Sequence, residues 1–276
     1  MQKICYMEPI QKAPTSNDVV REIMIRILNV AKESGQDYAV VTYDLAIALK
    51  AYSIQSLDAP LSDKLLIMLN NFHTELAFHG EVGTYINDSG SEFILSECDV
   101  LAEESMMGFI KGKFYNRCSR IHELLAITLE KKLHNRILAD YSKEENHAIH
   151  SLMSSVPSDP SSAEEYLDTA VVHLNFKAYK EFFQAVLRGF LCATAQYWGI
   201  YIFLINRLHM ELQRCVKSND VKGYIQVLPA VLDIFFALNH PQCARWGSLF
   251  FLKLKNANSH LIEIQYYNRV HFPSDE

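Results

Sequence analysis

Ala39-Val40-Val41-Thr42-Tyr43 is an apolar run that ends on a carboxylate, Asp44, and passes straight into the helical stretch Leu45-Ala46-Ile47-Ala48. A second apolar run, Leu65-Leu66-Ile67-Met68-Leu69, ends in Asn70-Asn71-Phe72-His73 and again continues as helix. Together they read as a βαβ unit. An Asp and a His at the carboxyl ends of its two strands stand where open α/β sheets usually carry their chemistry. This is a location for function; no motif in the chain names a reaction.

Around this unit the pattern is helical. A helix is predicted over Val19–Ser34, capped by Asn17-Asp18 and stopped by Gly35. Strand Tyr38–Tyr43, a helix over Leu45–Gln55, a turn at Asp58-Ala59-Pro60 and strand Leu65–Leu69 follow, then a helix that ends near Asn87-Asp88-Ser89-Gly90. No convincing strand appears from Ser91 onward. Glu164–Lys217 reads as one or two long helices, Tyr224–Leu238 as another, and Asn239-His240-Pro241 opens a last one through about Leu254. The expected fold class is α-dominated α+β: a short βαβ sheet near residues 36–95, followed by a large all-α region.

Ser151–Ser162, rich in Ser and Pro, reads as a linker or long surface loop. It separates an α/β region with a helical extension, 1–150, from an all-α region, 163–276. Two strands alone make a marginal sheet. Weak strands near Tyr6 and Phe93, strands upstream of Met1, or a partner chain are the three ways to complete it.

At 276 residues the chain can bury a core without covalent staples, and 49% apolar with 21% charged residues is a globular composition. A net charge of -6 argues against coating nucleic acid or anionic membrane with the whole surface, and leaves room for a local basic face. The six cysteines are scattered with no C-x-x-C pair, which points to reduced thiols in a nuclear or cytoplasmic compartment. The N-terminus, Met1-Gln2-Lys3-Ile4-Cys5-Tyr6, lacks the apolar core of a secretory signal. Phe190–Ile205 is uncharged but only sixteen residues long, short of the about 20 a spanning helix needs. It is expected to be a buried helix, and no membrane association is expected.

Asp44 at a strand end suits Mg²⁺ or Mn²⁺ binding, general-base work, or simply the N-cap of the Leu45 helix. His73 can cap its helix or line a cleft. Glu75 and His79 are close in sequence, but His73 and His79 are six apart and share no helix face, so the H-E-x-x-H arrangement is missing. The cluster Glu97, Asp99, Glu103 and Glu104 is either a source of a further carboxylate or a wet helix face. Lys111–Arg136 carries seven basic residues against Glu123 and Glu130 alone. Within it Lys113, Asn116, Arg117 and Arg120 fall at helical spacing, with Lys111 and the aromatic pair Phe114-Tyr115 beside them. Such a face suits phosphate contacts, or is a solvated helix face. No G-x-S-x-G elbow and no Gly-rich phosphate loop support nucleophilic or phosphate-loop chemistry.

The run VVTYDLAIALKAYSIQ, then NFH after an apolar strand, SG, GKFYNRCSRIH and HPQCARWGSLFFLKL resemble, in that order, a family of uncharacterised, mobile-element-associated proteins of animal genomes. The family's β-Asp-α-β-x-x-His layout is in turn similar to part of the ribonuclease H-like core of transposases. That similarity implies that Asp44 is a metal-binding carboxylate with His73 beside it, both catalytic by descent, and that the helical half resembles the all-α insertion of such enzymes. A first Asp ahead of Pro9 and a last acidic residue after the helices are not visible, so the resemblance implies either a fragment of a longer protein or a catalytically incomplete, transposase-like remnant. Its implied partner is nucleic acid, bound through Lys111, Lys113, Asn116, Arg117 and Arg120. The alternative is a helical protein–protein interaction module that uses aromatic residues around Tyr197–Phe203 and Phe235-Phe236.

Overall fold

The computed structural model describes residues 6–139, 174–218 and 220–256, with scattered positions between 147 and 166. The elements are α1 (Asn17–Glu33), β1 (Ala39–Tyr43), α2 (Leu45–Gln55), α3 (Ala59–Lys64), β2 (Leu65–Leu69), α4 (Asn71–Ile86), α5 (Ser91–Glu97), α6 (Glu103–Ile110) and α7 (Tyr115–Ala139). Beyond them come α8 (Leu174–Leu187), α9 (Ala193–Ile200), a π-helical turn (Tyr201–Asn206), α10 (Arg207–Ser218), α11 (Val221–Ala237) and α12 (Pro241–Asn256). The fold is α-dominated α+β. It divides into two compact units, one of Met1–Thr84, Ile110–Lys113 and Leu208–Glu276, the other of Tyr85–Phe109 and Phe114–Arg207.

The first unit holds the sheet. β1 and β2 pair in parallel from Ala39↔Leu65 to Tyr43↔Leu69, the arrangement that a helical crossover through α2 and α3 permits. All five residues of β2 are buried, which explains its unbroken apolar run: the strand is covered on both faces. α1 and α2 pack on β1, and α12 returns to pack on β2. Gln55 joins these layers. Its amide donates to the carbonyls of Leu61 (3.1 Å) and Leu65 (2.6 Å), and its carbonyl accepts from Lys253. Burial lowers the Lys253 ammonium below its ordinary pKa, and its Nζ lies 5.0 Å from the centre of the Tyr52 ring. Residues 6–15 form no strand and Phe93 lies in α5, so of the three ways to complete the sheet, weak strands near Tyr6 and Phe93 are not the one used; among the described residues the sheet is two-stranded.

Two local expectations shift for stereochemical reasons. α1 begins two residues earlier than predicted, because Ser16 and not Asn17-Asp18 is the cap, its Oγ accepting from Val19 N–H at 3.3 Å. Asp58-Ala59-Pro60 is not a bare turn but the start of α3, where a proline in the first helical turn has no bonded N–H to lose.

In the second unit, Tyr201 is fully buried, with its hydroxyl 3.0 Å from His122 Nδ1. Tyr85 and Tyr197 stack with ring centres 4.7 Å apart, and each hydroxyl donates to the other's backbone carbonyl. Phe190–Ile205 is not the single buried helix expected. Gly189 (φ +75°) ends α8, Phe190 and Leu191 are 73% and 50% exposed, and α9 starts only at Ala193 with Cys192 as its cap. No helix among the described residues is long and apolar enough to cross a membrane. Cys98, Cys118, Cys192, Cys215 and Cys243 are free thiols. Leu152, Met153, Pro160 and Ser161 of the Ser/Pro-rich segment lie outside the described residues.

Candidate functional site

Because β1 and β2 are parallel and in register, their carboxyl ends fall side by side, and Asn70 N–H donates to the Tyr43 carbonyl at 2.9 Å. Both following residues cap the helices that leave the sheet. Asp44 Oδ1 accepts from Ile47 N–H at 2.8 Å, and Asn70 Oδ1 accepts from Phe72 N–H at 2.9 Å and His73 N–H at 3.4 Å. His73 sits exposed in the first turn of α4, its ring edge-on to Phe72.

A cavity of about 340 Å³ opens at this point of the first unit. Asp44, Asn70, His73 and Thr74 line it from the strand ends, so Asp44 and His73 are brought to one place. Tyr224, Leu228, Leu232 and Phe235 line it from α11, and His240, Cys243, Gly247 and Phe250 from α12. His240 is the cap of α12: its Nδ1 accepts from Cys243 N–H at 3.4 Å, while its Nε2 lies 3.8 Å from Glu81 Oε1. Burial raises the Glu81 carboxyl above its ordinary pKa, and the His240 charge partly offsets that rise. Burial and the Glu81 charge push the Cys243 thiol up to about 11, so it is a protonated wall residue at neutral pH and a poor nucleophile. Tyr224 is 5% exposed, and its hydroxyl finds no hydrogen-bond partner among the described residues.

The donor set does not fit a resident divalent cation. Asp44 is the one carboxylate among the lining residues, and its Oδ1 already holds a backbone N–H. Among the described residues no three His, Cys, Asp or Glu gather into a metal-holding group. Glu97, Asp99, Glu103 and Glu104 are all exposed. His79 is buried against His209, ring centres 4.3 Å apart. Two results are therefore expected. Asp44→Asn should leave the melting temperature nearly unchanged, whereas Asp44→Ala should cost about 0.5–2 kcal/mol in urea unfolding. Millimolar Mn²⁺ should not raise the melting temperature of the unmodified chain; a rise that disappears in Asp44→Asn would contradict the capping account.

Of the five candidate phosphate-contact residues, Lys111 and Lys113 belong to the first unit, and Asn116, Arg117 and Arg120 to the second; all five are exposed. α7 starts at Tyr115, so Lys113 precedes the helix and the helical face begins with Asn116. Arg117 donates through Nη1 to Ser105 Oγ at 3.0 Å, and its guanidinium lies 5.2 Å from the centre of the Phe114 ring. Close backbone approach fixes the Lys111-Gly112-Lys113 turn. Gly112 has φ +67°, and a Cβ there would stand 2.4 Å from Gly80 N.

Sequence reasoning missed Tyr224, His240 and Cys243 as cavity residues. Asn239-His240-Pro241 signalled only a helix start, and nothing local ties α11 and α12 to the strand ends. No curated protein and no solved structure matches the chain. A family model does: the one described as "Domain of unknown function (DUF8702)" matches residues 1–272, and the chain belongs to that family.

Proposed function

We propose that this chain is a nucleic-acid-associated protein of mobile-element descent, a transposase-like remnant without strand-transfer activity of its own, that acts in the nucleus or cytoplasm. Its phosphate contacts are Lys111 and Lys113 on one unit and Asn116, Arg117 and Arg120 on the other. The observation that carries the reading is that all five are exposed in a stretch, residues 105–122, that contains no Asp or Glu. Arg117 and Arg120 also stand in the first two turns of a 25-residue helix. Cations at that end oppose the helix dipole, and an anion seated there relieves the mismatch. The capping bond from Ile47 to Asp44 supports a retained strand-end carboxylate put to structural use.

The alternative, a helical protein–protein interaction module, has less to stand on. Tyr201 is fully buried and Phe235 is 1% exposed, which leaves Phe236, 61% exposed, as the outward ring of the second pair. Fluorescence anisotropy with a labelled oligonucleotide, single-stranded or duplex, separates the two. Affinity should fall by about a decade or more between 50 and 200 mM salt as counterion release is suppressed. No binding at 50 mM salt would leave the interaction module as the reading.

A further inference from the structure

We propose that the cavity at the strand ends of the first unit binds a small organic cation, an amine or amidine carried on a compact apolar body. This goes beyond the nucleic-acid reading and does not depend on it. The cavity, about 340 Å³, lies at the lower end of the range of small-molecule sites, and its wall is divided by chemistry. Leu228, Leu232, Phe235 and Phe250 present an apolar side. The strand ends present Asp44, whose Oδ1 is taken by the Ile47 N–H, leaving Oδ2 for a second donor.

The charges choose among ligands. No lysine or arginine lines the cavity, and the buried Glu81 stands behind His240. A phosphate or carboxylate would meet Asp44, with the imidazoles of His73 and His240 but no lysine or arginine to offset its charge. A metal ion would find a single carboxylate. A protonated amine meets a carboxylate that can accept a charge-assisted hydrogen bond, and its hydrocarbon body meets the apolar side.

The test uses the full chain and three probes that share a phenyl ring: 2-phenylethylamine, the neutral 2-phenylethanol and the anionic phenyl phosphate. Binding is read by ligand-observed NMR and calorimetry at pH 7. The amine should bind about tenfold or more tightly than the alcohol, and phenyl phosphate should not bind. Asp44→Asn keeps the helix cap, so the fold is preserved. It should abolish the preference for the amine over the alcohol. Equal affinity for amine and alcohol, a preference that survives in Asp44→Asn, tighter binding of phenyl phosphate, or no binding of any probe would each overturn the proposal.

Discussion

Gly83→Ala should destabilise the sheet-bearing unit by about 3 kcal/mol or more, although alanine is the better helix former at an exposed helical position. Gly83 lies within α4, and a Cβ there would stand 2.0 Å from the Ile110 carbonyl oxygen and 2.7 Å from its carbon. Both are backbone atoms, so no rotamer change relieves the overlap; α4 and the 110–113 turn must separate. Gly35 is the matched control. It has φ +73° with nothing within 4 Å of its missing Cβ, so Gly35→Ala pays only the left-handed backbone term of about 1–2 kcal/mol. Urea unfolding of the two variants should rank Gly83→Ala as clearly the worse. A neutral or stabilising Gly83→Ala would mean that this close approach does not exist.

Acid should unfold the same unit through a pair of buried imidazoles. His79 and His209 are 0% and 2% exposed, and Phe78 stacks on His209 with ring centres 5.8 Å apart. Burial lowers His79 to about 4; burial, with the charges of His79 and Lys217 added, lowers His209 to about 3. In the unfolded chain both titrate near the ordinary histidine value of about 6.5. Between those limits the unfolded state therefore binds protons that the folded state does not. The stability these residues confer is fully present above about pH 6.5 and is lost as the pH falls toward 4. Each contributes a slope of about 1.4 kcal/mol per pH unit in that window. Urea midpoints measured from pH 7 to 4.5 should fall less steeply in His209→Leu than in the unmodified chain, by about one proton. An unchanged slope would show that His209 is not buried as a neutral ring.

The strand ends were legible because β2 is covered on both faces, so Leu65–Leu69 carries no polar residue to blur its limits. The placement of Asp44 and His73 followed from two such runs, each ending on a polar capping sequence. What escaped notice depends on contacts distant in the chain. Leu228, Phe235 and Phe250 have the periodicity of any core helix, and only the return of α12 to β2 makes some of their neighbours cavity walls. Phe190–Ile205 misled for a different reason. Apolar composition does not distinguish a continuous helix from one broken by a left-handed glycine and a π-helical turn, and the break at Gly189 leaves Phe190 in solvent. Lys113 was placed on a helical face by spacing alone; the glycine turn before it, held against Gly80, delays the helix to Tyr115.

The central claim is that the 111–120 segment contacts phosphates, and the most direct measurement is the dependence of oligonucleotide affinity on salt. The logarithm of the association constant, plotted against that of salt concentration for a labelled duplex, should have a negative slope. Arg117→Ala and Arg120→Ala should each reduce its magnitude by about 1, to a similar degree for unrelated duplex sequences, since phosphate contacts carry no base information. An identical slope in the unmodified chain and both variants, or no binding at 50 mM salt, would contradict the account.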